Sequence, residues 1–365
     1  MRTGEHGGNV AAVSEQAHVA AASLIDFSAN INPLGVPAPL LTVLAEAAPD
    51  LTAYPDPRYP TLTAALGRYH HVTPQAVFPN NGALAVLRDV ALALKPRQAV
   101  VVTPGFSEYE RVFQLVGSTV LHYALTEPTG FTLSVSALIS WLGENVLPGA
   151  VVCLGNPNNP TGQLLTPKTL RPLVDYCQAH QLWLAVDEAF MDFLFDEQLS
   201  LLSQLTPADP VVIIRSATKF FAIPGVRLGY GLTQNPFLQQ QLTAVTETWA
   251  VNAIAQTMGS KLYDQTAYIA ETKWWFKTEQ PWLGAQLQTL PGVTVFPSRV
   301  NFYLFKAPLS DLQERLWQRG IMIRSCDNYP GLDDHFYRVA VKNHECNDHL
   351  LTALTATLSE TEALA

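Results

Sequence analysis

Between residues 99 and 219, short apolar runs recur along the chain and each closes on polar residues. AVVVTP (99–104), AVVCLGNP (150–157), LWLAVDEAF (182–190) and VVIIRSATK (211–219) are dense in β-branched positions. Runs of that length without polar alternation predict strands buried on both faces. Between the second and third lies TPKTLRPLVDYCQAHQ (166–181), where Leu170, Leu173, Val174 and Cys177 share one helical stripe and Thr166 stands as N-cap before Pro167. Strand, helix, strand at this rhythm predicts an α/β fold: a mostly parallel sheet sandwiched by helices. Ligands of such sheets gather beyond the carboxyl ends of the strands. The polar residues that follow each run are therefore the place to look for chemistry.

Beyond about residue 240 the rhythm changes. A stretch of helical periodicity (237–290) leads into four short strand patterns, VTVFPS, NFYLF, MIRSC and YRVAV, between residues 293 and 341. This is the signature of a smaller α+β domain. The Pro-rich NINPLGVPAPLL (30–41) has no helical partner of its own and is expected to pack on that lobe. We expect a large domain over 45–240, and a small one from 1–44 with 241–365, as the length of 365 residues suggests.

Composition narrows the classes. Hydrophobic residues make up 48% and charged residues 15%, which fits a large core and not a disordered chain. A net charge of -9 argues against a nucleic-acid partner, which needs a basic surface. Cys153, Cys177, Cys326 and Cys346 form no C-x-x-C pair, so reduced thiols and a cytoplasmic setting are expected. Glu5, His6 and Glu15 interrupt the N-terminal apolar residues, and no run reaches the roughly 18 residues a bilayer span requires. No membrane association is expected.

Three strand ends carry the candidate chemistry: NPNNPTG (156–162), DEAF (187–190) and SATK (216–219), the last within RSATKFFAIPGVRLGYG (215–231). Lys219 sits among small hydroxyl residues and aromatics, with Arg227 eight positions on. Alone, each element is weak; a lone S-x-x-K is a common accident. Together, with Asn159, Asp187 and Lys219 in order at spacings of 28 and 32 residues, they resemble the pyridoxal-phosphate (PLP) enzymes of the type I aminotransferase fold.

That resemblance implies roles. Lys219 would carry the cofactor aldehyde, which asks for a neutral amine in a sheltered site. Asp187 would pair with the pyridine nitrogen and Asn159 would donate to the phenolic oxygen. The turn in NNGALAVLRDVALAL (80–94) opens a helix, so amides around Gly82 and Ala83 would face the cofactor phosphate. Ser216, Thr218 and Arg227 would add hydroxyl and guanidinium contacts. Tyr109 would stack on the ring. Tyr54 would reach the cofactor of a neighbouring subunit, which implies a homodimer.

HGGNV (6–10), IDFSANINPLG (25–35) and IRSCDNYPGLDDHFYRVAV (323–341) refine the comparison. Within this fold they resemble the L-threonine-O-3-phosphate decarboxylase family, from His6 to about Val341. The implied reaction converts L-threonine O-3-phosphate into (R)-1-aminopropan-2-yl phosphate during cobalamin biosynthesis. The alternative is a histidinol-phosphate aminotransferase, which shares the lysine region and both C-terminal arginines. The family's contacts to a small phosphorylated amino acid fall on His6, Gly7, Asn30, Asn159, Arg324 and Arg338. A phosphate and a carboxylate on one substrate suit two guanidinium forks; the sequence leaves open which arginine takes which group. Phe190 replaces a tyrosine common in the aminotransferases, mildly favouring the decarboxylase. Ala83 replaces a frequent acidic residue.

Two stretches read as decoys. His344 and His349 in HECNDH are five apart and diverge by about 140° on a helix, so no metal site is expected. GYG (229–231) lacks the third glycine and helix of a dinucleotide turn. The pair His70–His71 ends a helical stretch and is expected to be solvated.

Overall fold

The computed structural model describes residues 7–47 and 51–362. A two-residue strand, Ile25–Asp26 (β1), precedes seven that form the central sheet: Val77–Asn80 (β2), Gln98–Thr103 (β3), Thr119–Ala124 (β4), Val151–Gly155 (β5), Trp183–Asp187 (β6), Val211–Ser216 (β7) and Gly229–Leu232 (β8). Their order is β2-β8-β7-β6-β5-β3-β4. Only β8 runs against its neighbours; the pairs from β7 across to β4 are parallel. That reversal sets the start of β8 beside the ends of β7 and β2.

Alternation along the strands sorts side chains into two cores. Val100, Val152, Leu184 and Ile213 face the helices Val135–Asn145 and Pro167–Ala179. Val101, Cys153, Ala185 and Val212 face Ala83–Leu94 and Pro236–Val245. A period of two, with both sets buried, is why these runs read as uninterrupted apolar. Thr166 caps its helix as expected, its hydroxyl accepting from the Thr169 amide.

Strands Thr294–Val295 (β9), Phe302–Lys306 (β10), Ile321–Met322 (β11), Arg324–Ser325 (β12) and Phe336–Ala340 (β13) complete the set. A four-stranded sheet is ordered β12-β13-β10-β9, and β1 pairs in parallel with β11. The N-terminal segment is stitched to this second unit: the Phe27 amide donates to the Met322 carbonyl and its carbonyl accepts from the Ala340 amide, both at 2.8 Å. The stretch 237–290 is not one helix. Asn235 and Asn252 each cap a new start, giving Pro236–Val245, Ala253–Gly259 and, after a 3-10 turn, Thr266–Leu287. Among the described residues, no helix is long and apolar enough to cross a membrane.

Candidate active site

β5, β6 and β7 end together, and β8 begins beside them, so four short segments converge on one edge of the sheet. A cavity of about 470 Å³ opens there. Its wall includes Gly7, Asn30, Gly82, Ala83, Tyr109, Asn159, Asp187, Ser216, Thr218, Lys219, Arg227, Arg324 and Arg338. The cavity thus gathers every residue expected at the site except Tyr54 and His6. Tyr54 stacks on Trp249 at the surface, ring centroids 4.4 Å apart and 79% exposed. His6 lies outside the described residues.

Lys219 lies in the short helix Ala217–Phe220 that β7 runs into. Burial first, then the positive charges of Arg338 and Arg227, push its amine down from 10.5 to about 8, against the pull of Asp187. Asn32 fixes this segment. Its amide donates to the Lys219 carbonyl at 3.1 Å, and its Nδ2 donates to the Phe220 carbonyl and Thr272 Oγ1, each at 2.9 Å. NINP therefore bridges to the lysine segment as well as following the strand that joins the smaller sheet.

Asp187 ends β6. Burial pushes its carboxyl up, opposed by the Tyr109 hydroxyl, which donates to Oδ2 at 2.7 Å, and by the Ala189 amide at 2.9 Å. A carboxylate desolvated in this way is stabilised by a cation beside it. Tyr109 is buried, with Phe106 edge-on to its ring; its hydroxyl bond to Asp187 is a contact the sequence did not announce.

At the next corner, Gly82 has φ +89 and precedes the helix Ala83–Leu94. A Cβ at Gly82 would lie 2.6 Å from an Arg227 nitrogen, and one at Gly229 only 2.2 Å from the Ala83 amide nitrogen. Both glycines are required for the close approach of the β8 start to the turn. Ser216 Oγ and Thr218 Oγ1 lie 2.7 Å apart on the same wall. A helix N-terminus, two hydroxyls and a guanidinium make an anion seat. Lysine, carboxylate and anion seat fit a phosphorylated aldehyde cofactor with a basic ring nitrogen.

The smaller sheet supplies the two other guanidinium groups. Arg324 on β12 and Arg338 on β13 face each other in register and are buried. Arg338 donates through Nη1 to Asn159 Oδ1 and through Nη2 to the Ser28 carbonyl at 2.8 Å, and lies over the Phe302 ring. Its Nε and the Asn30 Oδ1 are buried without a hydrogen-bond partner among the described residues. Arg324 donates to Asn328 Oδ1 at 2.8 Å and lies over Tyr329. Phe190 lines the cavity and packs edge-on against Phe302, offering no hydroxyl.

Ser28, Asn32 and Tyr329 were not singled out by sequence, although all three lie inside the quoted IDFSANINPLG and IRSCDNYPGLDDHFYRVAV. Short polar residues following a two-residue strand carry no periodic signal. One reading is corrected: His70 is buried, its ring nitrogens 3.0 Å from Glu197 Oε2 and 2.8 Å from the Tyr230 hydroxyl. Burial pushes it down to about 4, so the ring is neutral. A polar residue at a helix end looks solvated until another element covers it. In HECNDH, His344 turns to Glu279 at 3.1 Å.

Sheet order and strand-end lysine together define an α/β enzyme of the type I PLP-dependent transferase fold. The chain belongs to the aminotransferase class I and II family, whose model matches residues 22–354. It is 36% identical to the threonine-phosphate decarboxylase of Salmonella typhimurium, over 97% of this chain and 96% of that one. It is 31% identical to an adenosylcobalamin biosynthesis bifunctional protein of Leptospira interrogans, over 97% of this chain and 41% of that one. Among solved structures, the histidinol-phosphate aminotransferase from Clostridium acetobutylicum superposes with a TM-score of 0.86 at 29% identity, covering 92% of this chain and 100% of that one.

Proposed function

We propose that this chain is a PLP-dependent decarboxylase that converts L-threonine O-3-phosphate into CO2 and (R)-1-aminopropan-2-yl phosphate for cobalamin biosynthesis. One observation carries the reading. A single cavity holds a lysine amine of lowered basicity, a buried carboxylate and an anion seat, and also two buried arginines from the second sheet. The first set suits the cofactor; the second suits a small molecule with two anionic groups. The similarity to the Salmonella decarboxylase across nearly the whole of both chains supports the choice of substrate.

When bound, PLP supplies an aldehyde carbon and a pyridinium ring that takes up the electron pair released as a bond at the substrate Cα breaks. The protein does the rest. Lys219 offers an amine whose basicity is lowered from 10.5 to about 8, so that it yields a neutral nucleophile more readily than an ordinary lysine. Asp187, steadied by Tyr109, holds the proton on the ring nitrogen. The Gly82–Ala83 amides, Ser216, Thr218 and Arg227 hold the cofactor phosphate. Asn159 accepts at its Oδ1 from Arg338, leaving the Nδ2 amide as its donor for the phenolic oxygen. Gly7, Asn30, Arg324 and Arg338, with His6, receive the substrate. Which Cα bond breaks is set by how these groups hold the carboxylate relative to the ring.

The same reading extends to assembly. Tyr54, exposed beside Trp249, reaches the cavity of a second copy in a homodimer. The larger domain spans 45–240, with 1–44 and 241–365 forming the smaller. The setting is cytoplasmic.

Incubated with PLP and L-threonine phosphate, the purified protein should release CO2 without consuming a 2-oxo acid. Turnover of histidinol phosphate that depends on a 2-oxo acid would instead make it an aminotransferase. Lys219→Ala should abolish both the visible absorbance of the bound cofactor and the CO2 release while the far-UV circular dichroism stays native.

A further inference from the structure

The cavity is only one face of these strand ends. Side chains alternate along a strand, so the residue next to each cavity residue points the other way. Glu188 follows the cavity residue Asp187, Arg215 precedes the cavity residue Ser216, and Tyr230 follows Gly229, which packs against the cavity residue Ala83. On the far face these three neighbours are joined. The fully buried Arg215 donates from Nε to Glu188 at 3.0 Å, from Nη1 to Asp192 at 3.0 Å and from Nη2 to Glu197 at 2.8 Å. Glu188 also accepts from Ser200 Oγ at 2.7 Å and from the Leu201 amide at 3.0 Å. His70 bridges Glu197 to the Tyr230 hydroxyl, and Tyr230 lies directly opposite Arg215 across the β7–β8 ladder.

We infer that Arg215 and its three carboxylates are a positioning device for the proposed cofactor site, clamping the ends of β6 and β7 and the start of β8 so that Asp187, Lys219 and the Gly82–Ala83 turn keep their spacing. The inference rests on the PLP reading. None of these residues lines the cavity, so they act through their chain neighbours. A guanidinium has a rigid fork that can tie three carboxylates from separate segments at once. Its register is transmitted directly: Ser216 pairs with Gly229 one position from Arg215 and Tyr230, and Gly229 is the residue pressed against the Ala83 amide. Simple stabilisation of a fold does not require a charge-dense cluster there, because buried ion pairs are often no better than well-packed apolar residues.

The test uses Arg215→Lys and Glu188→Gln, each reconstituted with PLP. The readouts are the visible-region circular dichroism of the bound cofactor, its Kd by equilibrium dialysis, and the split between kcat and KM for L-threonine phosphate. In protein of native far-UV signal, the visible signal should fall by about half, Kd should rise about tenfold and kcat should fall about tenfold with KM nearly unchanged, as for displaced reacting groups. Wild-type visible dichroism and Kd in either folded variant would overturn the proposal. Should both fail to fold, Ser200→Ala removes one bond to Glu188 without stranding a charge. It must then show the same changes at smaller amplitude, and wild-type values there are equally fatal. If the wild-type protein itself takes up no PLP, the functional reading fails separately. Positioning is then read in the apoprotein from the rate at which formaldehyde and borohydride methylate Lys219, which the variants must alter and which unchanged rates would refute.

Discussion

The two faces of the strand ends use charge in opposite ways. On the cavity face, Lys219 is held with its basicity lowered, Asp187 is desolvated, and the Arg338 Nε and Asn30 Oδ1 find no partner among the described residues. On the far face, each nitrogen of Arg215 meets a carboxylate, and Glu188 accepts from a hydroxyl, an amide and the guanidinium. The two faces meet at the ends of β6 and β7, where Asp187 adjoins Glu188 and Ser216 adjoins Arg215. The lesson is that burial alone does not mark a functional group: the far face is buried more completely, yet its polar groups satisfy one another. What distinguishes the cavity is polarity left for a ligand to complete.

The comparison can be broken most severely from the far side. Arg215→Met leaves three carboxylates facing one another and should destabilise the protein by about 3–5 kcal/mol, read from urea unfolding. A loss below about 1 kcal/mol would mean the cluster relaxes easily, erasing the contrast between the faces. The cavity side should respond with the opposite sign. Lys219 is lower in the folded protein than its ordinary 10.5, so the unfolded chain binds the extra proton between about pH 8 and 10.5. Stability of the apoprotein should therefore rise with pH across that window, with the penalty fully present below pH 8. Lys219→Met should accordingly stabilise the apoprotein at pH 7 by about 2 kcal/mol and flatten that slope. A destabilised Lys219→Met apoprotein would show that the amine is already satisfied. The smallest effect belongs to Tyr109→Phe, which removes one hydrogen bond to Asp187. A loss of about 1 kcal/mol, or roughly fivefold in PLP Kd, is expected with the fold unchanged. An unchanged Kd would show that the hydroxyl is incidental to Asp187.

Legibility followed the same division. β3, β5, β6 and β7 were plain because unbroken β-branched runs have few other uses, and Asn159, Asp187 and Lys219 stood out because they follow such runs in an order that resembles the PLP enzymes. Arg324 and Arg338 were found through motif resemblance, since nothing in RSC or YRV says that two strands will set them side by side. The stretch 237–290 misled because helical periodicity continues through Asn252, whose side chain caps a new helix. His70 misled because exposure at a helix end depends on what packs there, and its partners Glu197 and Tyr230 lie 127 and 160 residues away.

By itself, then, the amino-acid sequence determined β3, β5, β6 and β7, the helices that open after Gly82 and Thr166, and the identity of the residues placed at strand ends, because these depend on local periodicity and on backbone preferences within a few residues. Only the tertiary structure decided which of those ends share a cavity, that Tyr109 serves Asp187, that Arg338 reaches Asn159, and that Arg215 ties three segments together behind them. Such contacts join residues far apart along the chain. Their free energy comes from desolvation and charge proximity, which exist only once the sheet has assembled.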